Sequence, residues 1–106
     1  MEYRELGRTG IKVSELGFGC GSVGGLLIRG DYSDMVRSVA WAIEQGITYF
    51  DTARSYGDGQ SETNLERVLK ELNPDVVVGT KVQLRGEDLD RIEDAVAEQV
   101  EGCLSR

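Results

Sequence analysis

Apolar side chains recur every three to four residues in three segments of this chain, the spacing of an α-helix with one buried face. The first segment follows Asp31 or Ser33, either of which can cap a helix, and ends at Gly46. The third follows a turn at Gly86 and runs to the last residues. Three helices are therefore predicted. Their apolar positions are Met35, Val36, Val39, Ala40 and Ile43, then Leu65, Val68, Leu69 and Leu72, then Leu89, Ile92, Ala95, Val96, Val100 and Cys103.

The second segment is the most regular, because its apolar residues lie at positions i, i+3, i+4 and i+7. Asp58 or Ser61 can cap the start of this helix, and Pro74 ends it. A helix between these residues is the clearest prediction that the pattern gives.

Shorter runs rich in β-branched and aromatic residues precede the helices and predict buried strands at Leu16–Cys20, Ile47–Thr52 and Asp75–Lys81. Before them, Tyr3–Leu6 and Ile11–Leu16 flank a glycine-bounded turn and predict a β-hairpin. The order is a hairpin followed by three β-α pairs. Such alternation favours an α/β fold with parallel strands joined by right-handed crossovers.

Composition and charge argue against some kinds of binding partner. The chain of 106 residues is 40% hydrophobic and 29% charged, which suits one small folded domain. Its net charge is −7 and no two Lys or Arg residues are adjacent, so we expect neither nucleic acid nor a membrane surface as a partner. Met1 is followed by charged residues rather than an apolar signal core, so a cytoplasmic location is expected.

Metal and thiol chemistry find little support in the sequence. Histidine is absent, and Cys20 and Cys103 are far apart with no CxxC spacing. We expect no metal site and no structural disulfide.

The glycine-rich segment Gly17–Gly25 contains Gly19-x-Gly21-x-x-Gly24, which formally matches a dinucleotide-binding fingerprint. That fingerprint requires a helix to open at its end, and no helix is signalled before about Ser33. A strand running into a loop is therefore favoured. The alternative, a small Rossmann-type nucleotide binder, predicts a strand, turn and helix over Leu16–Gly30.

Two consecutive predicted strands end in ionisable residues: Asp51 at the end of one, with Tyr56 soon after it, and Lys81 at the end of the next. Carbonyl reduction by hydride needs a proton donor at the oxygen, where negative charge develops. A nearby lysine cation makes tyrosine a better acid, and a carboxylate can hold that lysine charged and in place. Parallel strands in a barrel end on one face, so these side chains could meet there.

Each of these residues also has a plainer explanation. Asp51 could cap the turn after its strand, Tyr56 could be a loop aromatic packed on the sheet, and Lys81 could be a solvated strand end. Together, in this order and at these strand ends, they favour a site.

The motifs Asp51–Ala53, Tyr56–Gly57, Ser61–Glu62 and Gly79–Lys81, with the opening Glu5–Gly19, resemble the aldo-keto reductases. They look closest to the branch that includes bacterial reductases and potassium-channel β subunits. The resemblance extends over the whole chain but covers only the first third of the family's TIM (β/α)8 barrel, which takes roughly 250 residues.

The resemblance implies an incomplete barrel: a β-hairpin over residues 1–16 and about three βα units over residues 17–106, forming a single partial domain. It implies an oxidoreductase that reduces aldehydes or ketones with NADP(H), with Tyr56 as general acid, Lys81 as its modulator and Asp51 as the partner of Lys81. Gly19, Cys20 and Asp51 would contact the cofactor.

The family's catalytic histidine, at the end of its fourth strand, has no counterpart here. We therefore expect the isolated chain to be inactive. A three-stranded piece of a barrel has two unpaired edges and an uncovered face, so self-association or pairing with the missing barrel portion is expected. The alternative is a non-catalytic barrel fragment that acts as an oligomerising or binding module.

Overall fold

The computed structural model describes all residues from 1 to 106 and contains a β-hairpin, a separate parallel sheet and packed helices. The elements in chain order are β1 (Tyr3–Glu5), β2 (Lys12–Ser14), β3 (Phe18–Gly19), α1 (Leu26–Arg29), α2 (Tyr32–Glu44), β4 (Tyr49–Asp51), α3 (Gln60–Leu72), β5 (Val77–Gly79), a 3₁₀ turn (Gly86–Asp88) and α4 (Ile92–Ser105).

The predicted hairpin is present and is fastened to the start of β4. Strands β1 and β2 pair antiparallel, with Tyr3 opposite Ser14. Ser14 and Thr48 exchange hydrogen bonds, each backbone N–H donating to the other's hydroxyl oxygen at 2.9 Å. The Tyr3 hydroxyl donates to the carbonyl of Gly46 at 3.0 Å. The hairpin therefore lies at the end of the sheet where the strands begin.

The three predicted strands form one parallel sheet in the order β3-β4-β5, so an α/β fold is confirmed. The paired strands are shorter than the apolar runs suggested, but single backbone bonds extend the ladder beyond them. Thr52 donates to Gly79 and Cys20 donates to Asp51, each at 2.9 Å. The sheet is small and is not closed into a barrel, since β3 and β5 are both edge strands.

The core lies between one face of this sheet and the helices α1, α2 and α3. Phe50 on the central strand is fully buried there, and its ring lies 5.3 Å from that of Phe18. The residues that form the core cluster are Cys20, Leu27, Met35, Val39, Ala42, Ile47, Phe50, Leu65 and Val68. On the opposite face of β4, Tyr49 and Asp51 are only half-buried.

Helices α2 and α3 follow the predicted apolar stripes closely, but the start of α3 differs from the prediction. Its N-cap is Gly59 at φ +92°, with no side-chain cap, rather than Asp58 or Ser61. Asn73, in the left-handed region, ends the helix just before Pro74.

Two short elements were not predicted: α1 and the 3₁₀ turn, where only a turn at Gly86 was expected. The glycine-rich loop thus leads into a single four-residue helical turn. A Rossmann-type turn needs a long helix that starts at the glycines, so this geometry disfavours the nucleotide-binder alternative. Helix α4 begins at Ile92, so Leu89, the first position of the third apolar stripe, lies before the helix and is 66% exposed. Of that stripe only Ala95 is buried, because no other element covers the rest of this face. No helix has both the length and the apolar character needed to cross a bilayer.

Candidate active site

Asp51 and Lys81 meet at the edge of the sheet where the parallel strands end. Asp51 is the last residue of β4, and Lys81 lies two residues beyond β5. The Lys81 ammonium donates to both carboxylate oxygens of Asp51, at 2.9 and 3.0 Å, and to the backbone carbonyl of Thr52 at 2.8 Å. These three acceptors match the three donors of a lysine ammonium and fix its position.

The surroundings of Lys81 favour its charged form. Partial burial lowers the pKa of Lys81, but the hydrogen bonds and negative charge of Asp51, together with Tyr56, outweigh that effect and raise the pKa above its ordinary value. The side chains of Lys81 and Asp51 are 49% and 42% exposed, so solvent screens this pair. Lys81 is therefore a cation throughout the physiological pH range.

Tyr56 reaches the same place from the loop between β4 and α3. Its ring centroid lies 5.1 Å from the Lys81 ammonium nitrogen. A Cβ built at Gly21 would lie 3.5 to 3.8 Å from the Tyr56 ring, which therefore packs against the glycine-rich loop. The loop turns back sharply because Gly57, Asp58 and Gly59 all have positive φ. The structure thus brings Asp51, Tyr56 and Lys81 together.

A cleft of about 430 Å³ opens beside Tyr56 and Asp51 and is otherwise lined by residues 19 to 24 of the glycine-rich loop. Gly19 faces open space, since a Cβ built there would meet no atom within 4 Å. Gly19 and Asp51 both line this cleft.

Cys20 also lies beside this cleft, but the whole residue is only 1% exposed and its side chain belongs to the core. Burial, with a smaller contribution from the negative charge of Asp51, raises the pKa of the Cys20 thiol to about 12, against an opposing effect of Lys81. The Cys20 N–H already donates to Asp51, and its carbonyl accepts from Ser61. The Cys20 thiol is therefore part of the core, and both backbone polar groups of this residue already have partners within the protein.

Two buried hydroxyl groups that sequence reasoning did not place in the site lie directly beneath it. The Thr52 and Ser61 hydroxyls share a hydrogen bond at 2.8 Å, and Ser61 donates to the carbonyl of Cys20 at 2.9 Å. Both residues are at most 1% exposed. This chain of bonds ties the ends of β3 and β4 to the first turn of α3.

A buried carboxylate, Glu62, lies at the neighbouring position of α3 and accepts hydrogen bonds from the Thr80 hydroxyl and the Arg106 guanidinium. Burial opposes the charged form of Glu62, but contacts with Cys103, Thr80 and Arg106 prevail and lower its pKa below the ordinary value. In the sequence, the motif Ser61–Glu62 contributed to the family resemblance, but it did not predict the hydrogen bonds that these two residues make.

Comparisons with known proteins identify the family to which this chain is similar. The sequence profile described as Aldo/keto reductase family matches residues 15–106. The aldo-keto reductase YhdN of Bacillus subtilis is 34% identical over 113 aligned positions, covering all of this chain and 34% of that protein. A protein of Arabidopsis thaliana named probable voltage-gated potassium channel subunit beta is 31% identical and is matched over 77% of this chain and 25% of its own length.

Among solved structures, the holo form of an aldo-keto reductase from Bacillus halodurans superimposes with a TM-score of 0.69 at 32% identity. The match covers 95% of this chain and 36% of that one. The chain thus spans about a third of the length of the bacterial relatives it matches. The resemblance to the reductases and to channel β subunits is confirmed, whereas the roles of individual residues stay predictions.

Proposed function

This chain belongs to the aldo/keto reductase family, and on that basis we propose that it forms the N-terminal part of an oxidoreductase that reduces aldehydes or ketones with NADP(H). What we propose beyond family membership is the cofactor, the direction of the reaction and the roles of the residues. Family membership itself supports oxidoreductase chemistry more generally.

The single observation that carries the proposal is the meeting of Lys81, Asp51 and Tyr56 at the ends of adjacent parallel strands. The Lys81 ammonium is held by Asp51 at 2.9 Å and lies 5.1 Å from the Tyr56 ring centroid. A cation fixed beside a phenol stabilises the phenolate that forms when the phenol gives up its proton. This arrangement suits a tyrosine that acts as a proton donor.

The cleft beside Tyr56 fits the reactive end of the proposed cofactor. Its volume of about 430 Å³ lies in the range of small-molecule sites, and glycine lines much of its wall, which permits close approach of a flat ring. Gly19, Cys20 and Asp51 would contact NADP(H) there. When bound, NADP(H) supplies the hydride that the chemistry requires.

The residues of this chain would then serve the carbonyl oxygen. Tyr56 would donate its phenolic proton to that oxygen as negative charge develops on it, and Lys81 would stabilise the resulting phenolate. Asp51 would keep Lys81 charged and aimed at the phenol. The product is an alcohol, and solvent returns the proton to Tyr56.

The substrate we propose is a small carbonyl compound. The sequence contains no histidine, so a histidine that orients the carbonyl has to come from outside these residues. We propose that the 106-residue chain is inactive alone and associates with itself or with the remaining portion of a barrel. The two free edges of the sheet and the half-exposed face of β4 support this proposal.

The experiment measures NADPH oxidation with an aromatic aldehyde, for the chain alone and for the chain joined to the remaining segment of the Bacillus subtilis relative. The joined protein should turn over and the chain alone should not. Tyr56→Phe should reduce turnover roughly 10²- to 10⁴-fold, the usual contribution of a general acid. Tyr3→Phe, which removes a hydroxyl far away in the hairpin, should leave it unchanged. Equal turnover of both variants would remove Tyr56 from the acid role.

The second candidate function is a non-catalytic module that oligomerises or binds another protein. The exposed apolar side chains of α4 favour it, since Ile92, Val100 and Leu104 are 45%, 43% and 82% exposed. Self-association at low concentration combined with no detectable NADPH binding would support this candidate over the reductase.

A further inference from the structure

Two consecutive residues at the start of α3 each hold a neighbour of the Asp51–Lys81 pair. Ser61 bonds to the hydroxyl of Thr52, the residue immediately after Asp51. Glu62 accepts from the hydroxyl of Thr80, the residue immediately before Lys81. One turn of one helix therefore fixes both chain segments that carry the ion pair.

Ser61 is buried, and its hydroxyl has two hydrogen-bond partners. Ser61 is 0% exposed, and its hydroxyl joins the Thr52 hydroxyl at 2.8 Å and the Cys20 carbonyl at 2.9 Å. Thr52 in turn offers its own carbonyl to the Lys81 ammonium at 2.8 Å. Thr52 thus connects α3 to the lysine, since it is bonded to Ser61 through its hydroxyl and to Lys81 through its backbone carbonyl.

The contact at Glu62 involves a carboxylate that is costly to bury. Its side chain is 5% exposed, and it is held by Arg106 on one oxygen and Thr80 on the other. Apolar residues generally fill such a position at lower cost than an ion pair, so stability alone does not explain a carboxylate there. What the carboxylate adds is a directed, charge-assisted bond to the segment that ends in Lys81.

We propose that Ser61 and Glu62 are positioning residues that set the spacing of Asp51 and Lys81 by holding Thr52 and Thr80. The proposal deepens the proposed function, because the pair it positions is the one assigned there to support Tyr56. Neither Ser61 nor Glu62 touches the cleft beside Tyr56, so both act only through the strand ends.

The test uses an NMR titration of lysine labelled at the ε-carbon, recorded on this chain. Only three lysines are present, Lys12, Lys70 and Lys81, so each signal can be assigned by substitution to arginine. The contacts that raise the pKa of Lys81 come from Asp51 and Tyr56, and its titration midpoint therefore reports how well the pair is held.

Thr80→Val removes the hydroxyl of an exposed residue with little change of shape. It should lower the titration midpoint of Lys81 by roughly half a pH unit, which is the size expected for an ion pair that solvent screens. Thr80→Ser keeps the hydroxyl and should restore the parent midpoint. Ser61→Ala should shift the midpoint in the same direction as Thr80→Val. Thr63→Val is the matched control, since its hydroxyl bonds only to Gly59 within the start of α3.

An unchanged Lys81 midpoint in Thr80→Val would overturn the proposal, as would an equal shift in Thr63→Val. A Lys81 midpoint in the parent chain that is not raised above the ordinary value of a lysine would also overturn it, because no held pair would then exist. The titration needs neither cofactor nor turnover. A failure of the proposed reductase function would therefore be seen separately, as absent NADPH oxidation by the joined protein while Lys81 of this chain keeps its response to Thr80→Val.

Discussion

Acidification should destabilise this fold through the buried carboxylate of Glu62. Contacts with Cys103, Thr80 and Arg106 outweigh the cost of burial and hold its pKa below the ordinary value, so the unfolded chain takes up the proton first as the pH falls. The stabilisation is fully present above the unfolded pKa of about 4.3 and is lost as the pH falls through the lower folded value. Stability should therefore decline below about pH 4.5.

The magnitude follows from the partners that Glu62 loses. Removing one partner of a charged hydrogen bond costs about 1.5 to 3 kcal/mol. The Arg106 side chain keeps 27% of its exposure and can recover some hydration, so we expect about 2 kcal/mol for Glu62→Gln. For a domain of this size each kcal/mol changes Tm by about 4 to 8 °C, which gives a decrease of roughly 10 °C at neutral pH.

Thermal unfolding followed by circular dichroism between pH 7 and pH 3 measures this effect. The parent Tm should fall steeply at acidic pH and approach that of Glu62→Gln, whose own profile should be flatter. The control is Glu66→Gln, one turn further along α3, where the carboxylate is 46% exposed and pairs only with Lys70. Parallel pH profiles for the parent and Glu62→Gln, or an equal loss in Glu66→Gln, would refute the reasoning.

Two further substitutions test the packing that supports the site. Phe50→Ala empties a fully buried position against Phe18 and should cost about 3 to 5 kcal/mol in urea unfolding; a loss below 1 kcal/mol would mean that the core lies elsewhere. Gly59→Ala should cost about 1 to 2 kcal/mol, because φ is +92° and the new Cβ would approach Arg106 at 3.1 Å. Gly86→Ala is its control, with open space around the new Cβ, and a similar loss there would contradict the strain argument.

The long helices, in which apolar residues recur regularly over several turns, were predictable from the sequence. The apolar stripes of α2 and α3 extend over three turns or more, which gives enough positions to define a buried face. The four-residue helix α1 and the 3₁₀ turn at Gly86–Asp88 were missed because such short elements contain too few residues to show any period. The cap of α3 was misassigned because Gly59 caps through its backbone conformation rather than through a side chain.

The members of the candidate site were predictable, but the contacts that support them were not. Strand ends placed Asp51 and Lys81 near one another, and the structure adds their hydrogen bond at 2.9 Å. The bond between Thr52 and Ser61 depends on how α3 docks against the sheet, and neither residue type identifies it. Cys20 illustrates the same limit, since only the fold shows that this residue, although beside the cleft, is 1% exposed and packs in the core.

A titration of this chain with NADPH, followed through its backbone amide NMR signals, would show whether the cleft beside Tyr56 binds the cofactor. We expect shifts concentrated in Gly19–Gly24, at Asp51 and at Tyr56, with the signals of α4 unchanged. The same titration of Tyr3→Phe should reproduce those shifts. No shift up to the solubility limit of NADPH, or shifts confined to α4, would contradict a cofactor site beside Tyr56.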